Sequence, residues 1–99
     1  MSYEAVTREM LPRPEPAETV GSLLAKSWAR HLEYRDAAKR KDVAKKKAKL
    51  LEAYKLRLMA QEMDPTFTDP AWLEEQSKTP SMRDTHEELM AFYRASLDA

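Results

Sequence analysis

Apolar residues recur every three or four positions through the middle of the chain, which is the spacing of one face of an α-helix. Between Ala17 and Met63 there is no proline, and the single glycine, Gly21, lies near the start. Thr19 or Ser22 can cap the first turn. The pattern therefore predicts one long central helix within residues 17–63.

The apolar face of this segment has two stretches with a polar stretch between them. The first stretch consists of Val20, Leu24, Trp28, His31, Leu32 and Tyr34, and the second of Leu50, Leu51, Tyr54, Leu58 and Met59. The intervening RDAAKRKDVAKKKAK contains strong helix formers and none of the usual breakers, so we expect one continuous helix with a solvated middle. The alternative is a break near Asp36 to Asp42, which would fold the segment into a compact antiparallel pair.

Prolines set the N-terminal segment apart. Pro12, Pro14 and Pro16 alternate in LPRPEP, and each disfavours helix at the residue before it. We therefore predict that residues 1–16 form an extended, proline-rich arm. This arm is interpreted either as a partly ordered tail or as a segment that grips a neighbour.

Residues 64–99 are predicted to form two shorter helices. Asp64 and Asp69 each stand directly before a proline, which fits a capping side chain followed by proline at the first helical position. Asp69 should open a short helix, PAWLEEQSK. We expect its Trp72 to fold back on the end of the central helix, and the alternative is that Trp72 projects into a partner. A last helix should run from about Ser81 to about Leu97 and pack against the second half of the central helix. Its apolar face consists of Met82, His86, Leu89, Met90, Tyr93 and Leu97.

Composition supports an all-α fold and limits the chemistry. The chain has no isoleucine, no asparagine and three valines, against a large stock of the residues that favour helix. A chain of 99 residues buries only a thin core, so we expect help from a partner or from self-association. The absence of cysteine excludes a disulfide scaffold, a thiolate zinc site and a thiol nucleophile.

The chain shows no sign of export or of a membrane. The N-terminal MSYEAVTREM carries charges where a signal peptide needs an apolar run, and no segment approaches the 18 or so apolar residues of a membrane span. We therefore expect a protein of the cytoplasm, or of a particle assembled there, with no membrane contact.

The formal net charge of zero conceals charged blocks. Residues 1–38 carry a net charge of −1, residues 39–57 carry +7, and residues 58–99 carry −6. The basic patch consists of Lys39, Arg40, Lys41, Lys45, Lys46, Lys47 and Lys49, and Lys55 and Arg57 follow it. Three interpretations are open: a solvated helix face, a contact with the acidic C-terminal third of the chain, or a surface for phosphates or an acidic protein. No motif for reading bases accompanies it.

The sequence shows no group of residues in a pattern that is typical of a catalytic site. His31 and His86 are the only histidines, and neither has a metal-ligand partner at a known spacing, so each is expected to be a packed or surface residue. One glycine cannot build a phosphate-binding loop or a dinucleotide fingerprint. We therefore predict no enzyme activity, no cofactor, no metal and no small-molecule substrate.

The predicted partner surface is an apolar stripe that consists of Val20, Leu24, Trp28 and Leu32. The C-terminal helices are too short to cover both ends of a helix of roughly 65 to 70 Å. We therefore predict a non-enzymatic helical interaction or assembly protein, acting as a subunit or adaptor of a larger complex. The competing prediction is a nucleic-acid-associated protein whose basic patch contacts phosphates. A virion or other particle subunit would combine both behaviours.

Overall fold

The computed structural model describes residues 17–71, 74 and 81–98, and for residues 81–85 it describes the backbone alone. Its helices are α1 (Val20–Lys39), α2 (Val43–Met63), a 3₁₀ helix (Pro65–Thr68) and α3 (Ser81–Asp98). No strand occurs in these ranges, which confirms the all-α prediction. The proline-rich arm, Trp72 and most of the short helix predicted after Asp69 lie outside the described residues.

The start of α1 is a capping box in which Thr19, one of the two predicted capping residues, is the N-cap. The Thr19 hydroxyl accepts a hydrogen bond from the Ser22 N–H at 3.0 Å, and the Ser22 hydroxyl accepts one from the Thr19 N–H at 2.9 Å. Glu18 adds hydrogen bonds with Ser22 and Lys26. Two backbone N–H groups that have no partner within the helix are satisfied in this way, so α1 begins at Val20.

The prediction of one continuous helix is wrong. α1 ends at Lys39 and α2 begins at Val43, and the two helices form an antiparallel hairpin. The alternative break near Asp36 to Asp42 describes the chain better. A straight helix would leave both apolar stretches facing water, whereas the hairpin buries part of each against the other, with Leu24 of the first and Met59 of the second in one cluster.

The turn of the hairpin combines a helix stop with a helix start. Lys41 has φ of 58°, and the Asp42 N–H donates to the Ala37 carbonyl at 3.0 Å while the Lys41 N–H donates to the Ala38 carbonyl at 3.2 Å. This pair of bonds around a left-handed residue is a Schellman motif, formed here by lysine in the place that glycine usually takes. The Asp42 side chain then accepts from the Lys45 N–H at 3.1 Å and caps α2.

Two clusters of buried side chains form the core. The first consists of Leu23, Leu24, Met59, Ala60 and Phe67, with Val20 and Leu56 packed against it. The second consists of Leu50, Ala53, Tyr54, Met90, Tyr93 and Leu97. The second cluster joins α3 to α2, which confirms the predicted packing of the last helix. Tyr54 contacts Tyr93 and Arg57 contacts His86, so α3 runs antiparallel to α2 and parallel to α1.

Small residues bring α1 and α2 close together. The Ser27 hydroxyl donates to the Ala53 carbonyl at 2.8 Å, and both residues are fully buried. Leu23 and Ala37 are buried on the same helix. The buried face of α1 is therefore centred on Leu23, Ser27 and His31, and it is rotated away from the stripe that the sequence predicted.

Two aspartates cap the segment after α2 by accepting hydrogen bonds from backbone N–H groups. Asp64 accepts a hydrogen bond from the Thr66 N–H at 3.1 Å, and Asp69 accepts one from the Ala71 N–H at 2.9 Å, which confirms both predicted caps. Between them Phe67 is fully buried. The 3₁₀ helix thus closes the end of the bundle that lies opposite the hairpin turn.

Candidate functional site

The structure divides the predicted partner stripe into two halves. Leu24 is buried in the first core cluster, and Val20 packs against that cluster. Trp28 and Leu32 are instead 41% and 47% exposed. The stripe is therefore half core and half surface, because α2 and the 3₁₀ helix cover its N-terminal half.

His31 is the centre of a group of aromatic rings from α1 and α3. The Trp28 ring stacks on the His31 ring, with centroids 5.1 Å apart and planes 10° from parallel. The rings of Tyr34, Phe92 and Tyr93 surround the same imidazole at 5.5, 6.3 and 5.7 Å. Aromatic pairs favour stacked and edge-to-face arrangements of this kind, so the rings form one packed group around His31.

Phe92 belongs to the surface that this group presents, and the sequence did not single it out. It is 39% exposed and meets Tyr34 edge-on at 6.0 Å. Its signal in the sequence is its place at the flank of the α3 apolar face, directly before the buried Tyr93. We call Trp28, Leu32 and Phe92 the aromatic patch.

A shallow, open groove between α1 and α3 adjoins the aromatic patch. Its volume is about 480 Å³, and it is lined by His31, Tyr34, Arg35, Ala38, Lys39, Leu89 and Phe92. Most of this lining is apolar, whereas the two cations, Arg35 and Lys39, are exposed and lie one helical turn apart on α1. The groove therefore combines an apolar floor with positive charge on its α1 side.

A polar network lies beneath the aromatic patch and links all three α-helices. The Tyr93 hydroxyl lies 2.9 Å from Nδ1 of His31, and an amino nitrogen of Arg57 lies 3.3 Å from Nδ1 of His86. Arg57 also interacts with the Tyr93 hydroxyl. The sequence counted Arg57 with the basic block, but the structure buries it, with 5% of its surface exposed.

The network keeps both histidines neutral. Burial, with the charges of Arg57 and Arg94 nearby, lowers the pKa of His86 to about 4. A guanidinium can only donate hydrogen bonds, so Nδ1 of His86 accepts from Arg57 and the imidazole carries its proton on Nε2. Burial, followed by the charges of Arg35 and Arg57, also lowers the pKa of His31. Both histidines are packed, as the sequence predicted.

The basic patch lies at the hairpin turn. Six of its members are exposed, namely Lys39, Arg40, Lys41, Lys45, Lys46 and Lys47. Arg40 pairs with Asp36 at 3.2 Å. Lys49 is half-buried and pairs with Glu33 and Glu52, which raises its pKa. The break between α1 and α2 thus gathers at one end of the bundle the cations that a straight helix would have spread along its length.

The described part of the chain offers no other chemical centre that we can assign. Within residues 17–71, 74 and 81–98, no three histidine or acidic side chains are grouped so that they could hold a metal ion. None of the helices in these ranges is both long and apolar enough to span a bilayer. Comparisons with known protein families, with curated proteins and with solved structures found no match to this chain.

Proposed function

We propose that this chain is a non-enzymatic helical interaction or assembly protein, a subunit or adaptor of a larger complex, which binds its partner through the aromatic patch. The observation that carries the proposal is the exposure of three large apolar side chains: Trp28 and Leu32, one turn apart on α1, and Phe92 on α3, where Trp28 and Phe92 both contact the His31 ring. Tryptophan and other aromatic residues are enriched in the energetically dominant parts of protein interfaces.

The packing of Trp28 and Phe92 against neighbouring rings supports the proposal. Trp28 is held by its stacking on His31, and His31 is held in turn by the Tyr93 hydroxyl. Side chains that are already ordered lose little conformational entropy when a partner covers them. The patch is therefore suited to binding without rearrangement.

Photo-crosslinking tests the proposal. A benzophenone amino acid in place of Leu32 should crosslink to a second protein, or to a second copy of the chain, in an extract of the native source. The same amino acid in place of Lys45, which lies on the turn, is the matched control and should not crosslink to that partner. Sedimentation equilibrium of the purified chain then distinguishes self-association from binding of another protein. Equal crosslinking at both positions, or at neither, would refute the proposal.

A second candidate function rests on the basic patch. Lys39, Lys41 and Lys45 are exposed and form no ion pair with any residue that the structure describes. Lysines gathered in this way suit contact with the phosphate backbone of a nucleic acid, without sequence preference.

Titration with duplex and single-stranded DNA at two salt concentrations tests this second candidate. Binding through phosphates should weaken steeply as salt rises, and Lys41→Ala should reduce the salt dependence by about one counterion. Affinity that does not change with salt would exclude it. A subunit of a virion or other particle, placed between protein shell and genome, would use both surfaces, and the cytoplasm or such a particle is the setting that we propose.

A further inference from the structure

We propose that the groove between α1 and α3 binds an acidic amphipathic helix of a partner protein. The inference rests on the proposed function and names the chemistry of the partner. The apolar side chains of that helix would contact Tyr34, Leu89 and Phe92, and its carboxylates would pair with Arg35 and Lys39.

Charge complementarity carries the choice of partner. Neighbouring cations are already paired within the hairpin: Arg30 of α1 with Glu33 at 3.2 Å, and Arg40, directly after α1, with Asp36 at 3.2 Å. Arg35 and Lys39 have no such partner among the described residues, although they line the groove. Two exposed cations at i and i+4 match two carboxylates at the same spacing on a facing helix.

The arrangement of the helices favours a helical partner. α1 and α3 run parallel on the same side of α2, and the groove is the open seam between them. A helix laid along this seam would complete a four-helix arrangement, with its apolar stripe facing Phe92 and the groove floor. In binding of this kind, the partner helix contacts the groove through apolar residues at positions i, i+3, i+4 and i+7.

A single-stranded nucleic acid fits the groove less well. Stacking of bases needs open aromatic faces. Here the Phe92 ring meets both His31 and Tyr34 at steep angles, and one face of Trp28 is covered by His31. Phe92 is thus packed against two other rings, and Leu89 and Ala38 add aliphatic lining to the groove, which suits apolar side chains.

Selection from a displayed library of helical peptides tests the inference. Peptides of about 18 residues with randomised surface positions are selected on the immobilised full-length chain. We expect the selected peptides to carry apolar residues at helical spacing together with Glu or Asp four residues apart. The Arg35→Glu/Lys39→Glu variant should weaken a selected peptide by about tenfold or more and should itself select peptides rich in Lys and Arg.

Matched control variants make comparable changes outside the groove. Lys41→Glu/Lys45→Glu makes the same change of charge on the turn and should leave the affinity within about twofold. Phe92→Ala should abolish the binding of the selected peptide, whereas Met63→Ala, at an exposed methionine outside the groove, should not. Circular dichroism of each variant establishes that it is folded.

The outcomes separate this inference from the proposed function. Peptides that require Phe92 but show no preference for acidic residues would overturn the inference and leave the proposed function standing. Peptides indifferent to both Trp28→Ala and Phe92→Ala, or no selected peptides at all, would overturn both. Oligouridylate binding that is lost in the Arg35→Glu/Lys39→Glu variant, or a dimer dissociated by Phe92→Ala, would assign the groove to a nucleic acid or to a second copy and overturn the inference.

Discussion

The hydroxyl of Tyr93 lies 2.9 Å from Nδ1 of His31, and this contact joins α3 to α1 across 62 positions of sequence. Both side chains are buried, so neither can exchange its partner for water. Arg57 can only donate to the Tyr93 oxygen, and Nδ1 of His31 and the Ser27 hydroxyl are the other hydrogen-bonding groups at this oxygen. The imidazole is thereby oriented so that Trp28 stacks on it, and the buried network supports the aromatic patch.

Removal of the Tyr93 hydroxyl should destabilise the fold. Tyr93→Phe keeps the ring but leaves Nδ1 of His31 without its partner, and we expect a loss of about 1 to 3 kcal/mol in the free energy of unfolding. Urea denaturation measures the loss. Tyr34→Phe is the matched control, because no hydrogen bond to that hydroxyl is described, and it should cost less than about 0.5 kcal/mol. Equal effects of the two variants would contradict the role assigned to Tyr93.

Stability should fall as the pH is lowered from about 6.5 towards 4. The pKa of His86 is about 4 in the folded chain, against an ordinary value of 6.5, so the unfolded state binds more protons in this range. The contribution of His86 is complete above about pH 6.5, is lost as the pH falls through 4, and is on the order of 3 kcal/mol. The lowered pKa of His31 acts in the same direction.

His86→Gln tests this pH dependence. An amide oxygen can still accept from Arg57 but does not titrate. Urea denaturation at about pH 7 and pH 5 should show a smaller change in stability for the variant than for the native chain. If the variant loses as much stability as the native chain, His86 is not the group responsible.

The left-handed conformation of Lys41 predicts a stabilising substitution. Lys41→Gly should raise the free energy of unfolding by about 1 kcal/mol, because glycine adopts positive φ without the steric penalty of a Cβ atom. Lys41→Ala removes the same charge but keeps the Cβ atom, so it should change stability by only a few tenths of a kcal/mol. Thermal denaturation of both variants distinguishes the backbone effect from the charge effect, and a glycine variant no more stable than the alanine variant would contradict it.

Phe67 should be among the most sensitive positions of the fold. Its ring is fully buried and meets the His86 ring edge-on at 4.4 Å. Phe67→Ala should cost about 3 to 5 kcal/mol, which is a large part of the stability of a domain of this size. Phe67→Leu retains most of the volume and should cost appreciably less. Calorimetry of the two variants would contradict the assignment if the alanine variant melted close to the native chain.

Much of the local structure could be predicted from the sequence. The caps at Thr19, Asp64 and Asp69 are formed by side chains that bond the backbone within three residues of themselves, so the residues present there are enough to specify them. The apolar face of α3 follows from the helical period, and it is buried as predicted at Met90, Tyr93 and Leu97 in the second core cluster. Residues that favour helix dominate the composition, which supports the same all-α prediction.

The tertiary structure decided the features that depend on contacts distant in the sequence. Nothing between residues 36 and 42 breaks a helix outright, and lysine is an unusual choice at a left-handed position. The chain turns there because the hairpin buries Ser27 against Ala53 and because α3 covers what remains. The same packing buries Arg57 and Phe67 and leaves Trp28 and Phe92 exposed.

The sequence by itself therefore determined the caps at Thr19, Asp64 and Asp69 and the residue types that make the described elements helical. The tertiary structure alone decided where the chain reverses and which face of α1 is buried, and with them the position of the aromatic patch and of the groove between α1 and α3. The physical reason is the distance along the sequence over which each interaction acts. Capping and helical propensity act over a few residues, whereas the burial of apolar surface that closes the hairpin is gained only when helices distant in sequence meet.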